Sequence, residues 1–201
     1  MDIAGKTPKL FHGLDRVFFA PFHPDTLTWD KPVEILGGPV KFAPQGQGTK
    51  TTIYAGNRPY YTYTKDNGDA GDLEMYAFPD EFLIWALGWV KHSSGVLLKL
   101  ANRPQKPFAF MYETMFINQA EEQDLLRVLY YNMTGAKPNI TYATDQEGLQ
   151  ISTGTMNLTG APLNFPGIGD LTSVEITQGE SPDVFETFFD EVWVPDATVI
   201  A

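Results

Sequence analysis

The stretch Asp72–Trp89, DLEMYAFPDEFLIWALGW, limits the possible folds more than any other part of the chain. It reads as a strand running straight into a short helix near 79–88, in a sequence otherwise patterned for strands. Pro79 suits the first helical position, where its missing N–H costs nothing. Asp80 and Glu81 place negative charge on the positive end of the helix dipole. Phe82, Trp85, Ala86 and Trp89 recur at three- and four-residue spacing, and Leu83 and Leu87 widen that face. Gly88 suits a left-handed end to the helix. Two or three turns are marginal alone, so the apolar face must dock on a sheet. Such a helix fills a core, and nothing in it points to chemistry.

The flanking sequence supplies the sheet. Leu14–Phe22, Leu27–Val33, Glu34–Phe42, Thr51–Tyr63, Gly95–Leu100 and Pro107–Ile117 are strand candidates, as are Ile140–Ala143, Leu149–Leu158 and Leu171–Thr177. Ala120–Tyr131 is ambiguous: its propensity favours helix, while Val128–Met133 with its tyrosines favours strand. Gly37-Gly38 reads as a bulge or tight bend. Pro44–Lys50 reads as a flexible polar turn, and Lys65–Gly71 (KDNGDAG) as a solvated hairpin tip. Its acids miss the calcium-loop spacing, because Gly68 and Ala70 stand where ligands are due. Ser181 as N-cap, Pro182 and the first-turn acids Asp183 and Glu186 open a second short helix near 182–190. Val184, Phe185, Phe188 and Phe189 form its apolar face. The pattern predicts a mainly β (α+β) fold, a two-sheet β-sandwich with one flanking helix and one short C-terminal helix. A single domain spans 1–201, with a leader over 1–12, a long loop over about 44–71 and a C-terminal arm over about 178–201.

Composition narrows the function classes. Hydrophobic residues at 43% suit a folded protein, and no apolar run approaches the length of a membrane span. The opening MDIAGKTPKLFHGL lacks the apolar region of a secretory signal, so none is expected. Cysteine is absent, which removes disulfides, thiol catalysis and cysteine metal sites together. The net charge of −11 is uneven: residues 1–67 carry 8 basic and 6 acidic side chains, residues 135–201 carry 1 and 10. A nucleic-acid binder neutralises phosphates with Lys and Arg, and that last third cannot. The same acidity is also what keeps an ordinary soluble protein soluble. His12, His23 and His92 are scattered, outside any metal-ligand spacing. Carboxylate pairs such as Asp80/Glu81 and Glu121/Glu122 are adjacent in sequence and point apart. No nucleophile elbow, P-loop or dinucleotide fingerprint is present, so no enzyme, metal or cofactor is expected.

The order of the segments resembles that of the major tail tube proteins of long-tailed, non-contractile bacteriophages. GLDRVFFAPF (Gly13–Phe22) is similar to that family's opening strand, and DTLTWDKPVEILGGPVKF (Asp25–Phe42) to its strand–turn–strand entry. GTKTTIYAGNRPYYT (Gly48–Thr62) resembles the segment before its long loop, with Gly56 where an acid is usual. DLEMYAFPDEFLIWALGW resembles its strand running into a single helix, and SGVLLKLANRPQKPFAFMYET (Ser94–Thr114) its next hairpin. LLRVLYYNM and LQISTGTMNLTGAP resemble its closing strands, which favours a strand at Leu125–Met133. FETFFDEVWVP (Phe185–Pro195) is similar to its ending, with Phe188-Phe189 in place of Trp-Phe. The likeness spans roughly residues 10–196.

The resemblance implies a structural virion protein: hexameric rings stacked into a hollow tail tube, its inner sheets joined around a lumen. Its implied partners are other copies of itself, a tape measure protein in the lumen, and tail terminator and baseplate proteins. DNA passes through without specific binding, no membrane is involved, and the tube is assembled in the host cytoplasm. Acids in the lumen repel phosphate, where Lys or Arg would hold it. Glu113, Asp145, Glu147 and Glu175 are the candidate lumen acids, and Lys65, Asp66, Asn67, Asp69 and Asp72 the candidate inter-ring contacts. Two rival readings stand beside this one. Tyr60, Tyr61 and Tyr63 suit a carbohydrate-binding sandwich that stacks on sugars, and a tail terminator or baseplate tube protein shares the same fold.

Overall fold

The computed structural model describes residues 9–118, 121–142 and 151–196, and strands dominate it. The chain runs β1 (Leu10–His23), β2 (Thr28–Trp29), β3 (Val33–Glu34), β4 (Pro39–Ala55), β5 (Arg58–Met75) and α1 (Asp80–Leu87). It continues with β6 (Val90–Lys91), β7 (Leu97–Leu98), β8 (Phe108–Ile117), β9 (Gln123–Gly135) and β10 (Asn139–Ile140). Then come β11 (Gly154–Gly160), β12 (Leu163–Phe165), β13 (Gly169–Leu171), β14 (Ser173–Thr177) and α2 (Pro182–Thr187). Ten strands form one antiparallel sheet in the order β2-β1-β8-β9-β11-β5-β4, with β3 on β1, β10 on β11 and β14 on β9. The pairs β6-β7 and β12-β13 are separate hairpins.

The sheet folds over at β9. One edge of β9 pairs with β8; the other is shared, Leu126–Tyr130 with β14 and Met133–Gly135 with β11. From that division β11, β5 and β4 cross the inner face of β1-β8-β9. Phe42 of β4 packs on Phe110, Tyr112 and Tyr130 at ring-centroid distances of 5.0, 5.4 and 6.1 Å. The two layers expected from the sequence are halves of one hydrogen-bonded sheet. Ala120–Tyr131, ambiguous in sequence, is strand from Gln123 onward.

Alternate residues of the central strands enter two different cores. Val17, Phe19, Phe108, Phe110, Val128 and Met133 face inward with Leu73, Met75, Met156 and Leu158. Helix α1 closes this core with Phe82, Leu83, Ala86 and Leu87 buried. Each large side chain so buried contributes roughly 1.5–3 kcal/mol relative to exposure. Gly88 ends the helix at φ 65°, as expected, but Pro79 is the extended N-cap and not the first helical residue. Trp85 stays half-buried and donates its indole N–H to the Pro107 carbonyl at 3.2 Å.

Phe18, Ala20, Ala109, Met111, Leu129 and Tyr131 face the other way, into a second core. Phe165 of β12 and Phe185 and Phe188 of the α2 region cover it. The expected C-terminal arm is therefore laid down on the sheet as far as residue 196. Tyr131 donates its hydroxyl to the Trp193 carbonyl at 3.0 Å, and Trp29 donates its indole N–H to the Tyr131 carbonyl at 3.0 Å. The leader expected over 1–12 is shorter, because Leu10, Phe11 and His12 already pair with Ile117, Phe116 and Met115.

The largest correction concerns the loop expected over 44–71. It is a long two-stranded hairpin whose turn is Gly56-Asn57, at φ 59° and 62°. Two consecutive positive φ values are the mark of a type I′ turn, which matches the twist of the flanking strands. Strand β5 pairs with β11 over Ala70–Met75 only. Beyond that, β4 and β5 pair with each other alone among the described residues, and Gly48–Ala55 with its partner forms an arm about 26 Å long. A bulge between Gly46 and Gly48 marks its root. There Gly68, at φ 106°, passes so close to the Gly160 carbonyl that a Cβ would lie 2.1 Å from its oxygen.

Gly68→Ala is expected to strain the root by about 1–3 kcal/mol through its positive φ and this backbone clash. Urea denaturation of the variant beside the parent measures that loss.

Candidate assembly surfaces

The arm presents an apolar row that no described residue covers. Directly opposite pairs share a face, so Thr51, Ile53, Tyr61 and Tyr63 lie together on one side. Ile53, Tyr61 and Tyr63 are 55%, 57% and 51% exposed. Tyr60, 79% exposed, is the extra residue of a bulge between the Ile53 and Tyr54 pairs, so the three tyrosines are not one continuous row. A lone two-stranded ribbon is marginal in water, and this one leaves its apolar face in solvent. Lys50, Arg58 and Lys65 give the arm a basic balance against the single acid Asp66.

The candidate inter-ring residues lie at the root of the arm and on the body, not at a tip. Lys65 pairs with Thr49, and Asn67 donates its side-chain N–H to the Thr49 hydroxyl at 2.6 Å. The Gly68 N–H donates to the Asp66 carboxylate at 2.9 Å. Asp72 accepts a hydrogen bond from Asn157 at 3.0 Å. Asp69 belongs to the body: burial pushes its carboxyl above the ordinary carboxylate value, and a Thr172 hydrogen bond opposes the shift.

Asp69 adjoins a pair of phenols, Tyr130 buried and Tyr112 partly so. Tyr112 and Tyr130 stack with ring centroids 6.4 Å apart. Burial first, then the Glu175 charge, pushes the Tyr112 hydroxyl up to about 12. Tyr130 is raised further, again mainly by burial. Glu175, a candidate lumen acid, is exposed on β14 and lines a cleft of about 450 Å³ with Leu14, Lys41, Phe42 and Tyr112. This cleft is the seam where the folded sheet fails to close. Phe11, His12 and Gly13 of β1 stand on one side of it and Val40 of β4 on the other. Along Leu10–Arg16 the outer edge of β1 has no strand partner among the described residues, and neither has the outer edge of β4.

Glu113 is a second correction. It is 5% exposed and faces the second core, where its carboxylate meets Arg127 Nε at 2.6 Å. Arg127 also donates to the Phe185 carbonyl, and its guanidinium lies 3.8 Å from the centroid of the Phe185 ring. A carboxylate sealed under α2 cannot line a lumen. Asp145 and Glu147 lie outside the described residues.

The histidines remain apart. His23 contacts Asp30 at 3.1 Å and the edge of Trp85, while His92 bonds Ser94 at 2.7 Å. Among the described residues no group of acids and histidines is arranged to hold a metal, and no helix is long and apolar enough to cross a membrane.

The sequence matches no protein-family model and no curated protein. Among solved structures the chain is similar to a chain of the sheath–tube complex of an extracellular contractile injection system, PVC, in its extended state. Identity is 9% and the TM-score 0.43, over 87% of this chain and 93% of that one. It is also similar to a chain of the six-fold symmetrised baseplate of the anti-feeding prophage, at 10% identity and a TM-score of 0.40, over 85% and 97%.

Glu113→Ala leaves Arg127 buried and unpaired, so the urea midpoint is expected to drop by the equivalent of about 3–5 kcal/mol. A loss near zero would put Glu113 at an exposed position. For Asp69 the folded-state value is raised, so folding takes up protons just above the ordinary carboxylate range and stability falls as pH rises through that window. Asp69→Asn removes this penalty. Its gain over the parent in urea is expected at pH 7 and should fade below pH ~4.

Proposed function

We propose that this chain is a tail tube subunit of a phage: a structural virion protein without enzymatic activity, six copies of which close a ring. Rings stack into a hollow tube through which DNA is delivered. The single observation that carries the reading is the freestanding β4–β5 arm, whose apolar row is exposed along a ribbon that cannot be stable for its own sake. Such an arm needs a second molecule. The bare edges of β1 and β4 support the same reading, since unpaired edges of this length ordinarily invite aggregation and here serve assembly. A head-to-tail contact that closes gives the ring, and a stacking contact that does not close gives the tube.

In this assembly the arm bridges to the next ring through Ile53, Tyr61 and Tyr63, with Arg58 at its tip. Glu175, Asp145 and Glu147 remain the candidate lumen acids, repelling phosphate so that DNA slides without specific binding. A tape measure protein occupies the lumen before ejection, and terminator and baseplate proteins cap the ends. The tail is of the long non-contractile kind named by the sequence resemblance, and it is assembled in the host cytoplasm. A tube subunit of a contractile tail would instead bind a sheath on its outer surface.

Negative-stain electron microscopy of the concentrated protein with a tail initiator complex is expected to show hollow tubes with six-fold end views. Excising Lys50–Thr64 and joining Thr49 to Lys65 through an Asn-Gly turn removes matched pairs and keeps the register. This variant is expected to fold but yield single rings or monomers. Normal tubes from it would overturn the role of the arm, and unstacked rings from the parent chain would point to a terminator or baseplate tube protein.

A further inference from the structure

The segment beyond α1 carries cations and no acids. In a chain of net charge −11, residues 82–112 contain no Asp or Glu, yet carry Lys91, Lys99, Arg103 and Lys106. All four are exposed, as are Val90, Val96, Leu98 and Leu100 between them. Three of the four make contacts with the body. Lys99 Nζ lies 4.9 Å over Trp89 and Lys106 Nζ 4.5 Å over Trp85, while Arg103 lies against Gly88 at the negative end of α1. Only Lys91 has a carboxylate partner among the described residues, Asp80 at 3.3 Å. Lys99, Arg103 and Lys106 have no carboxylate partner among the described residues.

The opposite face carries the complement. Residues 178–196 hold Glu180, Asp183, Glu186, Asp190, Glu191 and Asp196 and no cation. All six are exposed, and none makes an ion pair among the described residues. Beside them a cleft of about 440 Å³ is lined by Trp29, Asp30, Asp190, Glu191 and Val192, with Lys31 as its one cation. The two patches lie on opposite sides of one sheet: α1 packs on the Phe19, Phe108 and Phe110 side, and α2 on the Phe18, Ala109 and Met111 side. One molecule cannot bring them together, but two molecules arranged head to tail can. That is the heterologous kind of contact that closes into rings.

We infer that the basic β6–β7 face of one copy seats on the acidic α2 face of the next, as the contact that closes the ring; this rests on the ring reading above. Lys99, Arg103 and Lys106 meet the carboxylates of α2 and the segment after it, and Val96 and Leu98 enter the cleft beside Trp29. Nucleic acid or an anionic lipid surface would satisfy the basic patch alone. A matching acidic face on the same chain favours a second copy.

The test is a charge swap read by sedimentation velocity. One variant carries Lys99→Glu, Arg103→Glu and Lys106→Glu, and the other Asp183→Lys, Glu186→Lys and Asp190→Lys. The sites are exposed, and matching thermal melts establish that both variants fold. The parent chain is expected to associate at low ionic strength and to weaken at least tenfold in ~0.5 M salt, where the Debye length is short. Each variant alone is expected to lose association at least tenfold, and their mixture to regain it at a one-to-one ratio. A control with Asp15→Lys, Glu121→Lys and Glu122→Lys should not rescue the first variant.

Rescue by the control as well, absence of rescue by the intended partner, or parent association untouched by either reversal would overturn the inference. So would binding of DNA or anionic vesicles that is lost in the first variant while self-association is kept. Rings formed by the first variant would leave the ring reading standing without this contact. Charge-dependent pairs that never form rings or tubes with an initiator complex would keep the contact and remove the ring reading.

Discussion

Burial of the central strands β1, β8 and β9 on both faces is the constraint on which the rest of the structure depends. A strand with one wet face alternates apolar and polar residues; Phe108–Met111 and Leu129–Tyr131 do not, because each side meets its own core. Such strands cannot fold until both faces are covered. On the inner side the cover is the returning layer β11-β5-β4 with α1. On the outer side it is the β12-β13 hairpin, α2 and the segment up to Pro195. Neither helix stands alone: α1 has eight residues and α2 six, both too short to persist without the sheet beneath.

The one charged pair admitted to this interior among the described residues explains how the outer cover is held. Glu113 and Arg127 sit opposite each other on β8 and β9, on the face that α2 covers. Arg127 is answered at both ends, by the carboxylate below and by the Phe185 carbonyl and ring above. A buried pair contributes little net stability against an apolar replacement, but it penalises any placement of α2 that leaves the guanidinium unmatched. Its effect is to fix position. The Tyr131–Trp193 and Trp29–Tyr131 hydrogen bonds do the same for the segment that follows.

How much of this was legible follows from the same physics. Helix α1, β1 and β8 were readable because burial dictates their residue types. The arm was not, since exposure on both faces leaves no alternation to detect, and Gly46, Gly48 and Gly68 mimic a loop. The signal that was present, Gly56-Asn57 between β-branched and aromatic runs, is a hairpin turn that reads as an interruption when the flanks are taken for one strand. Glu113 was misplaced for a related reason: an acid within a strand has two faces to choose from, and only the register decides. The β12-β13 hairpin was missed because three-residue strands carry too little pattern.

With both faces of the central sheet closed, association is left to the edges, the arm and the surface charge. The charge works against it, because copies at −11 repel one another, most strongly where two acidic α2 faces approach. Confining the cations of residues 82–112 to the far side turns that repulsion into a choice of geometry. Face-to-face pairs are penalised, and head-to-tail approach brings unlike charges together. A uniformly spread charge of the same total would keep the chain soluble equally well without selecting any orientation. The segregation of sign across the sheet, more than the net charge itself, is therefore what favours one orientation over another.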